Sequence, residues 1–117
     1  MGTKNNHDLY EHKFGFIQIP NYFFGDTATQ GVMAVCKPNT FKVVLVVIRQ
    51  TIGWNKEKDI ISWSQFMKLT GMSKGALEDA IPNALNNGFI DRELVGVNTY
   101  SYWIPPELKE RYGIKPE

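Results

Sequence analysis

A mainly helical α+β fold is predicted by three observations. A long, almost uniformly apolar helical segment runs over 39–52, and two helix-start signals, Ser62 and Ser73, open helices separated by only about three residues. A two-run β pattern around a Gly/Asn tip then closes the sequence at 89–104. Two helices so closely joined are a helix-turn-helix connection. A hairpin directly after such a pair makes a winged helix-turn-helix, with a three-helix core plus a C-terminal β-hairpin wing.

At 117 residues the chain is long enough for one core and too short for two ordinary domains. The expected organisation is a mobile polar leader at 1–13, holding His7 and His12, followed by one domain over 14–117. With 43% hydrophobic and 21% charged residues the composition is globular. No apolar run approaches the roughly 18 residues that span a bilayer. The leader has no signal-peptide core, so a cytoplasmic protein is expected. The lone Cys36 excludes an internal disulfide framework and a cysteine-based zinc site, and reads as a small buried hydrophobe. Thirteen Lys and Arg against twelve Asp and Glu leave a formal net charge of +1. Whole-chain charge is therefore no footprint for nucleic acid, and DNA binding would need the cations gathered on one face.

In chain order, the segment from Phe14 to Pro20 alternates imperfectly and is stopped by Pro20, predicting a short strand or an extended arm. Asn21 to Phe24 suits one helical turn. Between Gly25 and Pro38 the breakers surround Val32, Met33, Ala34 and Val35, where a second short helix fits. Val43, Val44, Val46, Val47 and Ile48 are β-branched and would suit a strand. The ends favour a helix instead: Asn39 or Thr40 offers an N-cap, Phe41, Leu45, Ile48 and Ile52 fall at helical spacing, and Gly53 offers a left-handed C-terminal residue. Being apolar almost all round, this helix is expected to be central and buried.

Ser62 and Gln65 form a capping box, with Ile61 placed to staple against Phe66. This helix ends at Gly71, and Ser73 caps the next, whose Leu77, Ala80, Ile81, Ala84 and Leu85 form the core stripe. Lys74, Gly75, Glu78, Asp79 and Asn83 are left facing outward, and Pro82 should kink the helix by removing a bond to the Glu78 carbonyl. The runs 89–95 and 99–104 around Gly96, Val97 and Asn98 form the hairpin. Pro105 and Pro106 end it, and 107–112 suits a short terminal helix.

The chemistry this pattern supplies is that of DNA contact. Ser62, Ser64 and Gln65 at a helix start offer hydroxyl, amide and backbone donors to a phosphate, while also serving as caps. Lys74 is the foremost base or phosphate contact, with Ser73, Gly75, Glu78 and Asn83 on the same helix as further candidates. Lys56, Lys58 and Lys68 are candidates to line the same side, and Arg92, Asn98 and Thr99 to reach a neighbouring minor groove or backbone from the wing. From Ser73 to Asn87, Lys74 faces Glu78 and Asp79, a local acidic excess that repels phosphates. Trp54, Trp63 and Trp103 invite base stacking. Their spacing favours core or dimer packing instead, with Trp54 folding back on the buried helix and one pair of residues in Tyr100 to Trp103 facing outward.

The residues also resemble a known family. Ile17-Gln-Ile-Pro-Asn21, the string R-Q-T-I-G-W-N-K from Arg49 to Lys56, I-S-W-S-Q-F from Ile61 to Phe66, L-T-G-M-S-K from Leu69 to Lys74, and G-F-I from Gly88 to Ile90 resemble the N-terminal domain of bacteriophage replication initiators of the O type. The resemblance implies a winged-helix domain that binds repeated double-stranded sites at a replication origin, usually as a homodimer. It also implies a further C-terminal part that recruits host helicase or helicase-loader proteins. This chain is too short to contain that part, so a domain fragment or a stand-alone relative is expected. Glu78 and Asp79 depart from the family pattern, which generally offers basic residues there.

No phosphate loop, metal-ligand spacing or nucleophile motif is present in the sequence, so neither an enzyme nor a cofactor is expected. The alternatives to DNA-binding in replication are a protein-interaction module on the same fold and a small transcriptional regulator.

Overall fold

The computed structural model describes residues 15–113; the leader expected at 1–13, with its two histidines, and Phe14 lie outside the described residues. Five α-helices follow in order: α1 (Val32–Val35), α2 (Pro38–Gln50), α3 (Trp63–Thr70), α4 (Lys74–Asn86) and α5 (Glu107–Tyr112). Strands β1 (Asp59–Ile60), β2 (Asp91–Gly96) and β3 (Thr99–Trp103) form one antiparallel sheet in the order β1-β3-β2. This α+β arrangement fits the winged helix-turn-helix expected from the sequence.

The arm at 15–20 pairs with no strand, so the expected strand is replaced by its extended alternative. It leads into a 3-10 turn at Asn21–Phe23, where the single helical turn was expected. The chain then reverses through Asp26, whose carboxylate accepts from the Ala28 and Thr29 amides at 2.8 and 2.6 Å. Gly25 and Gly31 come together there, and a Cβ on either would strike the backbone of the other's loop. That contact, invisible in composition, explains the two glycines that bracket this stretch.

Helix α2 is the centre of the molecule, with Val43, Val44, Val47 and Ile48 fully buried. It packs on α4, α3 and β3. Its start differs from expectation. Neither Asn39 nor Thr40 caps it; the helix opens at Pro38, preceded by Lys37 in extended geometry without a side-chain cap bond. Proline at the first position needs no partner for its missing N–H and holds the preceding residue extended. Thr40 is thereby freed to turn inward, where its hydroxyl donates to Asn83 Oδ1 of α4 at 2.8 Å. The end differs too. Thr51 closes α2, its hydroxyl bonding back to the Val47 carbonyl at 2.6 Å, and a 3-10 turn at Ile52–Trp54 follows. Asn55, not Gly53, takes the left-handed conformation, at φ 55°. The role of Gly53 is contact: a Cβ there would lie 2.9 Å from Ile17 Cγ2 of the arm.

Both helices of the helix-turn-helix start and stop where the sequence places them. Ser62 Oγ accepts from the Gln65 amide at 3.1 Å and Gln65 Oε1 from the Ser62 amide at 2.8 Å, completing the capping box. Ile61 and Phe66 are both buried in the core. In the turn, Gly71 sits at φ 74°. Thr70 braces it, donating to the Phe66 carbonyl at 2.6 Å and accepting from the Met72 amide at 3.1 Å. Ser73 Oγ then caps α4 by accepting from Ala76 at 3.2 Å. Leu77, Ala80, Ile81 and Ala84 are buried as predicted, and Leu85 is half-buried. Helix α4 runs unbroken through Pro82 to Asn86. Pro82 stands on the exposed face, where solvent serves the carbonyl its missing N–H leaves free.

The hairpin forms with Asn98 at φ 51° in a two-residue turn and a register shift between Leu94 and Gly96. Its inner strand β3 brings Tyr102 into the core, edge-on to Phe66 at a centroid distance of 5.2 Å. Strand β1 went unrecognised in the charged link after α2, since two residues carry no periodicity. Its register is Asp59 opposite Tyr102 and Ile60 opposite Ser101.

Two outcomes follow. Thr40→Val leaves the half-buried Asn83 carboxamide without its donor, and urea denaturation should show a loss of about 1–2 kcal/mol. Burial pushes the half-buried Cys36 thiol up to about 11. At pH 8 its alkylation, followed by mass spectrometry, should therefore run roughly a hundredfold slower than in the urea-unfolded chain.

Candidate nucleic-acid interface

The two helix starts that the sequence singles out are open. At α3 the capping box occupies Ser62 Oγ and Gln65 Oε1, but the Trp63 and Ser64 backbone amides stand at the first two helical positions, where no intrahelical acceptor exists. Ser64 is exposed beside them. At α4, Lys74 and Gly75 are exposed at the first turn. A Cβ at Gly75 would meet only Ser73 Oγ at 3.9 Å, so no crowding within the fold calls for glycine there. What the missing side chain provides is close access to the helix amides, the feature that suits a phosphate. Lys74 and Lys68 have no ion-pair or hydrogen-bond partner among the described residues.

The acidic pair on α4 is divided by the helix. Lys74, Glu78 and Pro82, four residues apart, share one exposed stripe. Asp79 instead lines a cleft of about 700 Å³ with Asn83 and the start of α2. Glu78 thus shares the Lys74 stripe, while Asp79, also exposed, stands four residues after Gly75, so both carboxylates remain near the start of α4. Asn83 is corrected as a candidate: its Oδ1 is held by Thr40, and it faces α2.

The hairpin side is organised for packing. The Arg92 guanidinium lies 3.8 Å from the Tyr100 ring centroid and donates to Tyr102 Oη at 3.2 Å. It is half-buried, a strut between the strands more than a free cation. Lys58 reaches across β3, 4.3 Å from the Trp103 ring centroid and 3.4 Å from Glu93 Oε1 on β2. Lys56 pairs with Asp59 at 3.4 Å. Thr99 Oγ1 donates to the Val97 carbonyl at 2.9 Å within the turn, and Asn98 is exposed. The aromatic strand does not present an exposed pair: Ser101 and Tyr102 are buried, while Tyr100 and Trp103 are half-covered.

Two surface features escaped the sequence reading. The hairpin tip is apolar, with Val97 92% exposed beside Leu94 and Val95. The second is electrostatic. No Asp or Glu occurs from Thr27 to Lys56, nor again from Ile60 to Leu77. The cations of α2, α3 and the start of α4 thus lie in two acid-free stretches on either side of Glu57 and Asp59, although the whole-chain charge is near zero. Counting charges by segment would have found this.

Among the family comparisons, the family model described as bacteriophage replication protein O matches residues 9–103. The chain belongs to the bacteriophage replication protein O family. The match runs from the leader to the end of β3 and includes every candidate DNA-contact residue named above. No curated protein and no solved structure matches the chain. Among the described residues, no helix is long and apolar enough to cross a membrane.

If Arg92 is a strut, Arg92→Ala should lower stability by about 1–2 kcal/mol, through the lost ring contact and the Tyr102 hydrogen bond. Chemical denaturation measures it. Unchanged stability would return Arg92 to the pool of free cations.

Proposed function

We propose that this member of the replication protein O family is a DNA-binding domain that serves phage replication initiation by recognising double-stranded repeats at an origin. The observation that carries the reading is the pair of open helix starts. Helix α4 presents Lys74 and the bare backbone of Gly75 where a recognition helix meets DNA. The start of α3, with Ser62, Ser64 and Gln65, would sit on a phosphate of the flanking backbone. Lys68 supplies a further cation, with Lys56 and Lys58 available only by exchanging their carboxylate partners for phosphates. Glu78 is placed on the same stripe as Lys74 and could accept from a cytosine amino group.

On this reading the domain performs no covalent chemistry and needs no cofactor. It works in the cytoplasm as a homodimer on repeated sites, and helicase or helicase-loader proteins are engaged through regions outside this chain. Family membership favours replication over transcriptional regulation. Contact with a replisome protein has one observation of its own, the apolar hairpin tip at Leu94, Val95 and Val97.

Fluorescence anisotropy with labelled duplexes carrying origin repeats tests the reading. Binding should weaken steeply between 50 and 200 mM salt, as counterion release requires. Lys74→Ala should cost about three- to tenfold and reduce the salt slope by about one. Salt-independent binding, or an unaffected Lys74→Ala variant, would sink the assignment.

A further inference from the structure

Core or dimer packing is expected for Trp54, and the structure does not place it in the core. It is 58% exposed, on the 3-10 turn that follows α2. It does fold back toward the helix, but onto a cation: the Arg49 guanidinium lies 4.7 Å from its ring centroid. The turn is held by the left-handed Asn55 and by the Lys56 amide, which donates to the Thr51 carbonyl at 2.8 Å. An exposed tryptophan on a braced turn is an ordered aromatic platform.

The surroundings are cationic and shallow. Trp54 and Arg49 line a cleft of about 470 Å³ with Gly15, Phe16, Ile17 and Gly53. Arg49 also borders a second cleft of about 250 Å³, on whose far rim stands Lys42. Seven residues separate Lys42 from Arg49, two helical turns, so both lie on one face of α2 about 10 Å apart along its axis. Neither meets a carboxylate within 4 Å among the described residues.

We propose that the Trp54–Arg49 stack, with the cationic stripe along α2 to Lys42, is a binding site for single-stranded DNA. A duplex hides its base faces in its own stack, and only an unpaired base can lie on an exposed ring. The guanidinium stacked over one face of the indole leaves the other face to a base and attracts the phosphate. Lys42 receives a further phosphate along the strand. The cleft beside Trp54 is walled by Phe16 and Ile17, and Ile17 fills the space over Gly53, so the exposed indole ring is the surface on which a base can lie. An acidic helix of a partner protein would satisfy the two cations alone, whereas a nucleic acid strand uses the exposed ring as well as both cations. The site uses α2 and its C-terminal turn, and does not depend on the helix-turn-helix reading.

The test is titration of the protein with labelled dT12, followed by anisotropy and by tryptophan fluorescence, beside a duplex carrying origin repeats. Wild type should bind dT12 with quenching of the indole emission and strong salt dependence. Trp54→Ala should weaken dT12 binding about tenfold or more, while Trp54→Phe, which keeps a ring, should recover most of the loss. Arg49→Ala and Lys42→Ala should each weaken it and flatten the salt slope, and Trp54→Ala should leave duplex affinity within about twofold. A thermal melt establishes that the Trp54 variants are folded. Failure of wild type to bind dT12 overturns the proposal, as does a folded Trp54→Ala variant that binds like wild type. Binding at Trp54 of a labelled acidic amphipathic peptide with no binding of dT12 overturns it in favour of a protein partner. Loss of duplex binding alone bears on the helix-turn-helix assignment and leaves this one standing.

Discussion

The structure depends on enclosing a helix whose own residues do not favour that conformation. Helix α2 holds Val43, Val44, Val46, Val47 and Ile48, all β-branched and stiff, and better suited on their own to a strand. It is helical because α3, α4 and β3 surround it, so that each buried valine or isoleucine gains about 1.5–3 kcal/mol of transfer free energy, far more than the propensity it forgoes. Two buried polar groups of α2 and its end are satisfied within the fold, Thr40 by Asn83 and Thr51 by the Val47 carbonyl. Among the described residues no buried side-chain polar atom lacks a partner.

That packing sets the orientation of everything that can meet a ligand. Because α4 lies on α2 through Leu77, Ala80, Ile81 and Ala84, the opposite stripe with Lys74 and Glu78 must face solvent, and Asp79 is turned toward the start of α2. On the other side, the Phe66–Tyr102 contact ties α3 to the sheet. The cations then divide into two groups. Arg92, Lys58 and Lys56 are engaged with rings or carboxylates of the sheet and the link before α3. Lys68, Lys74, Lys42 and Arg49, all on helices, meet no carboxylate among the described residues. A near-neutral chain thus keeps four helical cations clear of any carboxylate partner, although Glu78 shares the Lys74 stripe.

Signals contained within a few neighbouring residues were legible. The capping box of Ser62 and Gln65, the left-handed Gly71, the cap at Ser73 and the stripe on α4 each involve partners within about two turns, and each stands where the pattern put it. The same holds for the Asn98 turn and the terminal helix. The site was less legible. Ser62, Ser64, Lys68, Lys74 and Gly75 are exposed as expected, but Asn83 and Arg92, candidate DNA contacts by sequence, are held by Thr40, Tyr100 and Tyr102. Their partners lie 43, 8 and 10 residues away in sequence.

What the sequence determined by itself is therefore the local grammar: where α3 and α4 start and stop, and that a hairpin follows, because interactions among near neighbours decide those features. Tertiary structure alone decided that Thr40 faces α4 in place of capping α2, that a two-residue strand completes the sheet, that Trp54 stands in solvent on Arg49, and that Glu78 and Asp79 part company. These outcomes rest on which surfaces meet. Contacts between residues distant in sequence leave no period for a local pattern to reveal.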